Sequence, residues 1–366
     1  MQAKGVVHRL LGERLYHYLF YCRTHRRMLI QLGLSTSRAD GEDAYLQHWL
    51  KLDRWVDPYA FRLYRHYCGP SPDILPEDIL HDVIEPVINP VDYWPAYEDK
   101  NLFHCFVGRD CLPETLLCRI GGGHFLDACM HPVASIAPIL EASRHGALIL
   151  KPSIGTSCGE GICRFQKVGV AYCDVHGRQL DDDYLRRYGD NWVLQEALHQ
   201  HPFMEQFCHS AVNTVRIAVY RSVCDGKAHI TGALLRVGKE GALVDNVSSG
   251  GRFVGIDAAS GRLLDAFVAF DGSRSARWND MDLSQQTLYV PRWDELTALA
   301  CRVAESIPHH HLLALDIALC ENEKPMLVEY NIGGFSAYIF HHVGQTVFGA
   351  FTDEVIDYVK SRRPRL

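Results

Sequence analysis

Residues 312–334 contain two runs of alternating character joined by a short polar segment, 321–324, and this pattern constrains the fold more than any other. Because successive side chains on a strand point to opposite faces, the alternation predicts two strands. A hairpin that is symmetric about the middle of its turn places Asp316 directly opposite Glu329. Asn331 then follows two positions further along the same face.

Two facing carboxylates beside an amide indicate a cation site. Opposed side chains on paired strands have Cβ atoms about 5 Å apart, so one ion fits between Asp316 and Glu329. Oxygen ligands suit a hard divalent ion such as Mg²⁺. We therefore predict that Asp316, Glu329 and Asn331 bind metal. An edge hairpin with a solvated acidic face is the alternative interpretation.

Length and charge limit the classes of function that the chain can have. Its 366 residues are enough for two or three domains with cores of their own. The net charge of −7 provides no global basic field, so nucleic acid is not an expected partner. No apolar run approaches the ~20 residues that span a bilayer, so no transmembrane segment is expected. Thirteen cysteines without paired spacing favour a reducing compartment, and we expect a cytoplasmic location.

Coarse secondary-structure patterns change twice along the chain. Residues 1–90 are predicted to be mainly helical, and an extended linker is predicted over 90–95. Helices and strands mix after this point, including a predicted helix over 132–145 with a proline near its first turn. From residue 212 onwards strands predominate. They are followed by a helix, the hairpin of residues 312–334 and a final helix. No pattern in the sequence predicts the oligomeric state.

A glycine-rich segment follows a predicted buried strand over 147–152. Glycines let the backbone fold closely around an anion, while amide and hydroxyl groups donate hydrogen bonds to phosphate oxygens. The glycine spacing is neither that of a Walker A loop nor that of a dinucleotide fingerprint. A flexible turn is the alternative interpretation. The candidate phosphate-binding residues are Lys151, Ser153, Gly155, Ser157 and Gly159.

A second candidate site lies at the end of a predicted strand over 191–197. The strand runs from Gln195 and Glu196 into an irregular segment, where backbone amides and carbonyls are expected to be free. Such an edge can bind an adenine ring, and a nearby carboxylate can bind ribose hydroxyls. A strand end with an exposed glutamate is the alternative.

Two arginines, Arg216 and Arg236, lie within apolar segments that are predicted to be strands. A guanidinium in such surroundings is rarely unpaired, and its fork suits a carboxylate or a phosphate. A structural salt bridge is the alternative. After them, Asn246 and the pair Gly250 and Gly251 provide an approachable backbone for a second substrate.

Taken in this order, the elements resemble those of the ATP-grasp superfamily. The motifs IEPVINP, QEALHQHP, VNTVRI and VDNVSSGG look most like the sugar-transfer-associated ATP-grasp group, which is related to the α-L-glutamate ligases. The resemblance covers residues 86–345 and adds Lys100, which follows Asp99, to the candidate residues. It implies an α+β fold in which two lobes, 96–197 and 198–366, grasp ATP after a mainly helical region over 1–95.

The resemblance also implies a role for each motif. Lys100 and Lys151 would contact the phosphates and the purine side, and the loop would close over the β- and γ-phosphates. Asp316, Glu329 and Asn331 would hold Mg²⁺. The remaining implied roles are ribose binding by Glu196 beside Gln195, adenine binding by the backbone of Glu196, Ala197 and Leu198, stabilisation of the transferring phosphoryl group by Arg216 and Arg236, and acceptor binding by Asn246, Gly250 and Gly251.

The expected reaction is ATP-dependent ligation of a small-molecule carboxylate to an amine through an acylphosphate. ATP and Mg²⁺ are the expected cofactors, and a sugar acid or an amino acid is the expected kind of substrate. Two alternatives remain open. One is a kinase that phosphorylates a hydroxyl group, and the other is a nucleotide-binding module without turnover.

Overall fold

A computed structural model describes residues 12–155, 159–334 and 336–362 of the chain. The predicted phosphate ligand Ser157 lies outside these residues. Within them, the structure is a helical N-terminal region followed by two large antiparallel sheets. The expected α+β fold class is therefore confirmed.

Helices make up the N-terminal region, as the sequence predicts. Local chemistry sets their ends: the carboxylate of Asp57 accepts a hydrogen bond from the amide of Tyr59 at 2.8 Å, Pro58 begins the helix, and Gly69 with a φ of 72° follows its end. The helices of this region are α1 (Glu13–Gln31), α2 (Glu42–Trp49), α3 (Pro58–Cys68), α4 (Glu77–Ile79) and α5 (Glu85–Ile88), with a π-helical turn at Leu80–Ile84 between the last two.

The first sheet has seven antiparallel strands in the order β3-β2-β1-β7-β4-β5-β6. Its strands are β1 (Thr115–Arg119), β2 (Phe125–Asp127), β3 (Pro132–Val133), β4 (Ala147–Pro152), β5 (Cys163–Val168), β6 (Ala171–Cys173) and β7 (Trp192–Glu196). Helices α6 (Trp94–Tyr97) and α7 (Phe103–Phe106) precede it, and α8 (Ala137–Ala142) and α9 (Asp182–Tyr188) connect its strands.

The second sheet also has seven antiparallel strands, in the order β12-β11-β10-β9-β8-β15-β16. Its strands are β8 (Thr214–Arg221), β9 (Ala228–Val237), β10 (Arg252–Ile256), β11 (Leu263–Val268), β12 (Arg274–Ser275), β15 (Leu312–Leu319) and β16 (Pro325–Asn331), with the small hairpin β13 (Arg277–Trp278) and β14 (Met281–Asp282) beside it. The remaining helices are α10 (Pro202–Glu205), α11 (Trp293–Ser306), α12 (Ala337–His341) and α13 (Thr352–Arg362).

The hairpin of β15 and β16 has the register that its symmetric sequence predicts. Asp316 pairs with Glu329, and Ala314 pairs with Asn331. Immediately beyond the acidic pair the register shifts, so that Ile317 opposes Leu327. Because of this bulge, the pairing predicted by symmetry holds only from Asp316 and Glu329 to the open end of the hairpin, where Asn331 lies.

Both faces of the second sheet are covered. On one face, apolar residues of α11 such as Leu296 and Val303 pack against Leu315 and its neighbours. On the other face, Ala218 and Leu234 share a core with the N-terminal helices and with α12 and α13. The N-terminal region thus packs on the second sheet through a continuous apolar core. None of the described helices is long and apolar enough to cross a membrane.

Two local predictions are wrong. The helix predicted over 132–145 begins only at Ala137, because Val133 pairs with Phe125 in the first sheet. Proline is tolerated in β3 because that strand is at the sheet edge. The predicted extended linker over 90–95 is instead a 3₁₀ turn, Val91–Tyr93, followed by the start of α6.

The segment around α6 is ordered by contacts that lie far away in sequence. The indole nitrogen of Trp94 donates to the carbonyl of Asn89 at 2.9 Å. The Trp94 ring also lies so close to Gly333 that a Cβ there would come within 2.5 Å of a ring carbon. Only glycine fits at this position, which lies two residues after the end of β16.

Candidate active site

A cleft of about 710 Å³ lies between the two sheets, within the size range of small-molecule sites. Most of the residues predicted from sequence line it: Lys100, Lys151, Gly155, Gly159, Gln195, Glu196, Leu198, Arg216, Arg236, Asn246, Asp316, Glu329 and Asn331. The described lining does not include Ser153, Ala197, Gly250 or Gly251. Residues from widely separated stretches of sequence thus meet in one place.

Asp316 is the charge centre of the cleft floor. Arg216 lies opposite it on β8 and donates from Nε and Nη2 to its two carboxylate oxygens, at 2.7 and 2.6 Å. Arg236 of β9 donates from Nη1 to Asp316 Oδ2 at 2.8 Å. Burial opposes ionisation of Asp316, but the two guanidinium groups outweigh it and lower the pKa of this carboxyl. Both arginines are therefore paired with a carboxylate in this structure, and their role toward a phosphoryl group stays a prediction.

Asp245 extends the network on the far side of Arg236. Its Oδ1 lies 3.0 Å from Arg236 Nη2, and its Oδ2 accepts a hydrogen bond from the amide of Thr214 at 3.0 Å. Burial raises the pKa of Asp245, although Arg236 opposes the rise. Asn246 also hydrogen-bonds to Arg236 through its side-chain oxygen. The guanidinium of Arg236 is thus held by three side chains in the position that faces the cleft.

Glu329 and Asn331 present oxygen atoms beside this network. The carboxylate of Glu329 lies 3.2 Å from the ammonium group of Lys100. The side-chain nitrogen of Asn331 donates to the carbonyl of Ala314 across the hairpin at 3.2 Å. Because the nitrogen is used in this bond, the side-chain oxygen of Asn331 is left as the group available to a ligand.

Oxygen donors of this kind fit Mg²⁺, which prefers carboxylate and amide oxygens. Among the described residues, no group of three or more histidine, cysteine, aspartate or glutamate side chains is arranged to hold a metal. The hairpin set has two carboxylates and one amide, and the carboxylates are already paired with Lys100 and the arginines. Metal binding by Asp316, Glu329 and Asn331 remains a prediction.

Lys151 lies at the end of β4 and is 9% exposed. Within the described part of the chain its ammonium group has no hydrogen bond or salt bridge. Burial and the nearby charge of Lys100 lower the pKa of Lys151 to about 8, although Glu329 opposes this shift. The hydroxyl of Ser153 is also buried and unpartnered among the described residues. A buried cation and a buried hydroxyl without partners are groups that an anionic ligand would satisfy.

The loop after Lys151 reaches the other lobe. A Cβ at Gly159, whose φ is 74°, would come within 2.7 Å of the side chain of Val244. Val244 directly precedes Asp245 in the loop between β9 and β10 of the second sheet. The described end of the glycine-rich loop therefore packs across the cleft, above the network of Asp316.

The strand end at Glu196 differs in part from the prediction. The amides of Glu196 and Ala197 donate to the carbonyls of Glu114 and Ala147, at 2.9 and 3.0 Å, so they are engaged in the first sheet. The amide of Leu198 has no partner among the residues that the structure describes. Of the three backbone amides in this predicted adenine site, that of Leu198 is the one left open to a ligand.

Side chains at this strand end are also held in place. The carboxylate of Glu196 accepts a hydrogen bond from the amide of Glu114 at 3.0 Å and lies 3.4 Å from the ring of His145. The side-chain nitrogen of Gln195 donates to Thr115 Oγ1 at 3.1 Å. These bonds fix both side chains at the rim of the cleft.

Gly250 and Gly251 turn the chain rather than line the cleft. Gly250 has a φ of 93°, and a Cβ at Gly251 would come within 2.7 Å of the carbonyl of Val237. Their predicted contact with a second substrate stays untested. Asn246 and Ser248 of the same loop do line the cleft.

Several cleft residues escaped the sequence reasoning. Asp245 pairs with Arg236 and is itself held by Thr214, and both residues lie in the sequence motifs that contain Arg216 and Asn246. Glu98 lines the cleft two residues before Lys100, where burial raises the pKa of its carboxyl. Phe270 and Tyr338 also line it. The two aromatic residues carry no local pattern that distinguishes them from core residues.

A glycine-rich loop on one sheet that faces paired arginines and carboxylates on a second sheet is the arrangement of the ATP-grasp class, and this chain has the ATP-grasp fold. Residues 81–351, most of the chain, match the sugar-transfer associated ATP-grasp family. The chain belongs to this family, which confirms the resemblance seen in its sequence. A comparison with curated protein sequences gives no match.

Solved structures that resemble this chain include several with low sequence identity. D-cycloserine synthetase DcsG is 11% identical with a TM-score of 0.41, over 75% of this chain and 73% of that one. D-alanyl-alanine synthetase A from Vibrio cholerae O1 is 11% identical with a TM-score of 0.37, over 73% and 64%. The ATP-grasp ligase PsnB, complexed with precursor peptide PsnA2 and AMPPNP, is 14% identical with a TM-score of 0.39, over 75% and 62%. The chain thus spans less than two thirds of the latter two.

Proposed function

We propose that this protein is an ATP-dependent ligase that activates a carboxylate as an acylphosphate and then transfers the acyl group to an amine. The observation that supports this most directly is the buried Lys151, which has no partner among the described residues and lies opposite the network of Asp316 and its arginines. Such a site can bind a polyphosphate on one side and a reacting oxygen on the other.

Nucleotide binding would use the first lobe and the segment between the lobes. The amide of Leu198 would bind the adenine edge, and Glu196 at the cleft rim would bind ribose hydroxyls. Lys151 and Lys100 would contact phosphate oxygens, with the hydroxyl of Ser153 as a nearby donor. Phosphate binding would release Lys100 from Glu329, which is within 3.2 Å of it.

Mg²⁺ held by Asp316, Glu329 and Asn331 would neutralise triphosphate charge and orient the γ-phosphate. Arg216 and Arg236 already hold the Asp316 carboxylate in one orientation through three hydrogen bonds. Residues that are fixed before the substrate binds need little reorganisation during the reaction. Such preorganised charge is the main contribution that a protein makes to phosphoryl transfer.

The reaction would proceed in two balanced steps. An oxygen of the substrate carboxylate attacks the γ-phosphorus of ATP, the bond to the β-phosphate oxygen breaks, and ADP leaves with the electron pair. The amine nitrogen then attacks the acyl carbon, inorganic phosphate leaves, and the nitrogen loses a proton. The contact of Gly159 with Val244 would shield the acylphosphate from water during this exchange.

ADP release by the purified protein tests this proposal. With ATP, Mg²⁺ and a panel of carboxylic acids, we expect ADP release that depends on hydroxylamine and that yields a hydroxamate. A stable phosphorylated alcohol, formed without any amine, would identify a kinase instead. Nucleotide binding without any ADP release under all these conditions would identify a binding module.

Lys151 makes nucleotide affinity sensitive to pH. Since its pKa is about 8, it is charged mainly below pH 8 and loses its charge as the pH rises. Phosphate favours the charged form, so the Kd for ATP should increase roughly tenfold between pH 7 and pH 9. Calorimetry without turnover, across this range, measures the change.

Lys151→Arg is the matched control for this measurement, because arginine stays charged at both pH values. The Kd of this variant should change little between pH 7 and pH 9. An equally flat profile for the unaltered protein would show that the charge of Lys151 does not contribute to binding.

A further inference from the structure

One wall of the cleft is apolar and aromatic. Phe270, in the loop after β11, is 55% exposed, and its ring meets that of Tyr338 in a T-shaped contact with centroids 5.6 Å apart. Val247 and Ile339 line the cleft beside them, and buried Phe253 lies behind. We call Val247, Phe253, Phe270, Tyr338 and Ile339 the aromatic wall.

The aromatic wall is continuous with the floor of the site. Val247 directly follows Asn246, whose side chain binds Arg236. On the opposite side, the chain runs from Asn331 at the end of β16 to Tyr338 on α12. A molecule that places one group at Arg236 and Asn331 therefore meets the aromatic wall with the rest of its body.

Glu77 of the N-terminal region and His342 after α12 hold this wall in place. The carboxylate of Glu77 accepts a hydrogen bond from the amide of Tyr338 at 2.6 Å. The ring of His342 contacts Tyr338 and Phe253, with centroid distances of 6.0 and 6.4 Å. A ring held from behind in this way is a preformed surface rather than one that must be ordered by the ligand.

No group on the aromatic wall offers a positive charge to a ligand, among the residues that the structure describes. Burial lowers the pKa of His342 to about 3, so this histidine is neutral at neutral pH. The nearby Arg252 is turned away, since it donates to the carbonyls of Gly250 and Gly251 and lies over the Trp278 ring at 4.0 Å. A second carboxylate that lies on this wall would lose part of its hydration and gain no ion pair from the wall in return.

We infer that the acid that this protein activates is a monocarboxylate with an apolar body, such as an aromatic or alicyclic ring, which packs on the aromatic wall. This inference rests on the proposed ligase function and narrows its substrate class. Apolar burial against Phe270 and Tyr338 supplies affinity, while the single carboxylate lies at Arg236 and the metal hairpin. An acid with additional charged groups would lose affinity at the wall.

The hydroxylamine assay with two matched sets of acids tests the inference. One set contains phenylacetate and cyclohexanecarboxylate, and the other contains glutamate and malate. We expect hydroxamates from the first set with KM values at least tenfold lower than for any acid of the second. Comparable KM values for the two sets, or a preference for the charged acids, would overturn the inference while leaving the ligase proposal in place. Failure to form a hydroxamate from any acid would overturn both.

Phe270→Ala supplies a second measurement. Loss of the ring should raise the KM for phenylacetate about tenfold and leave the KM for ATP unchanged, because nucleotide and acid occupy different parts of the cleft. Tyr289→Ala is the matched control, since Tyr289 is similarly exposed but does not line the cleft. An unchanged KM for phenylacetate in Phe270→Ala, or an equal rise for ATP, would also overturn the inference.

Discussion

Replacing Glu329 by glutamine is expected to lower turnover by a factor of about 10²–10³ and to leave the fold intact. Glutamine keeps the size of the side chain but removes the negative charge that would bind Mg²⁺. Glu329 is one third exposed and makes one salt bridge, to Lys100, so its replacement should have little effect on stability. Steady-state ADP release and thermal unfolding, measured on the same preparation, separate the two effects.

Glu323→Gln is the matched control for this experiment. Glu323 lies in the turn of the same hairpin, is exposed, and does not line the cleft. The same chemical change at this position should leave ADP release unaltered. Near-normal turnover by Glu329→Gln would remove Glu329 from the metal site and with it the assignment of the hairpin as the metal-binding element.

Much of the site could be predicted because it depends on local periodicity. The alternation of residues 312–319, together with a short turn, is sufficient to place Asp316 opposite Glu329. Arg216 and Arg236 could be identified because charged residues in apolar strands require partners. Their shared partner, Asp316, lies 100 and 80 residues away, and no local pattern indicates which carboxylate they bind.

Other features depend on contacts that only the folded chain provides. Trp94 appeared to be part of a linker, but it packs on Gly333, more than two hundred residues later in sequence. The amides of Glu196 and Ala197 appeared free because the strands that engage them, near Glu114 and Ala147, could not be paired from sequence. Aromatic residues such as Phe270 show the same local sequence pattern whether they lie in a core or line a cleft. The position of these residues is determined by tertiary contacts, not by the secondary-structure propensity of the local sequence.

The charge network makes a strong prediction about stability. Asp316→Asn should lower the free energy of unfolding by about 3–5 kcal/mol, because it leaves the buried guanidinium groups of Arg216 and Arg236 without the carboxylate that they share. The pKa of Asp316 is lower in the folded state than in the unfolded state, so its stabilising effect is fully present above the unfolded pKa of about 4 and is lost as the pH falls below it. Urea unfolding at pH 7 therefore measures the whole effect.

Two further variants distinguish an unpaired buried charge from a general loss of packing. Asp183→Asn makes the same chemical change in an exposed pair with Arg186, and it should not alter stability measurably. Adding Arg216→Met to Asp316→Asn should restore part of the lost stability, because it removes the buried charge that has lost its carboxylate, whereas Arg236 keeps its ion pair with Asp245. If the double variant is instead less stable by the sum of two independent losses, the guanidinium of Arg216 stabilises the fold through contacts other than Asp316. In that case the position of Arg216 does not depend on its ion pair with Asp316, and Asp316 serves ligand binding rather than stability.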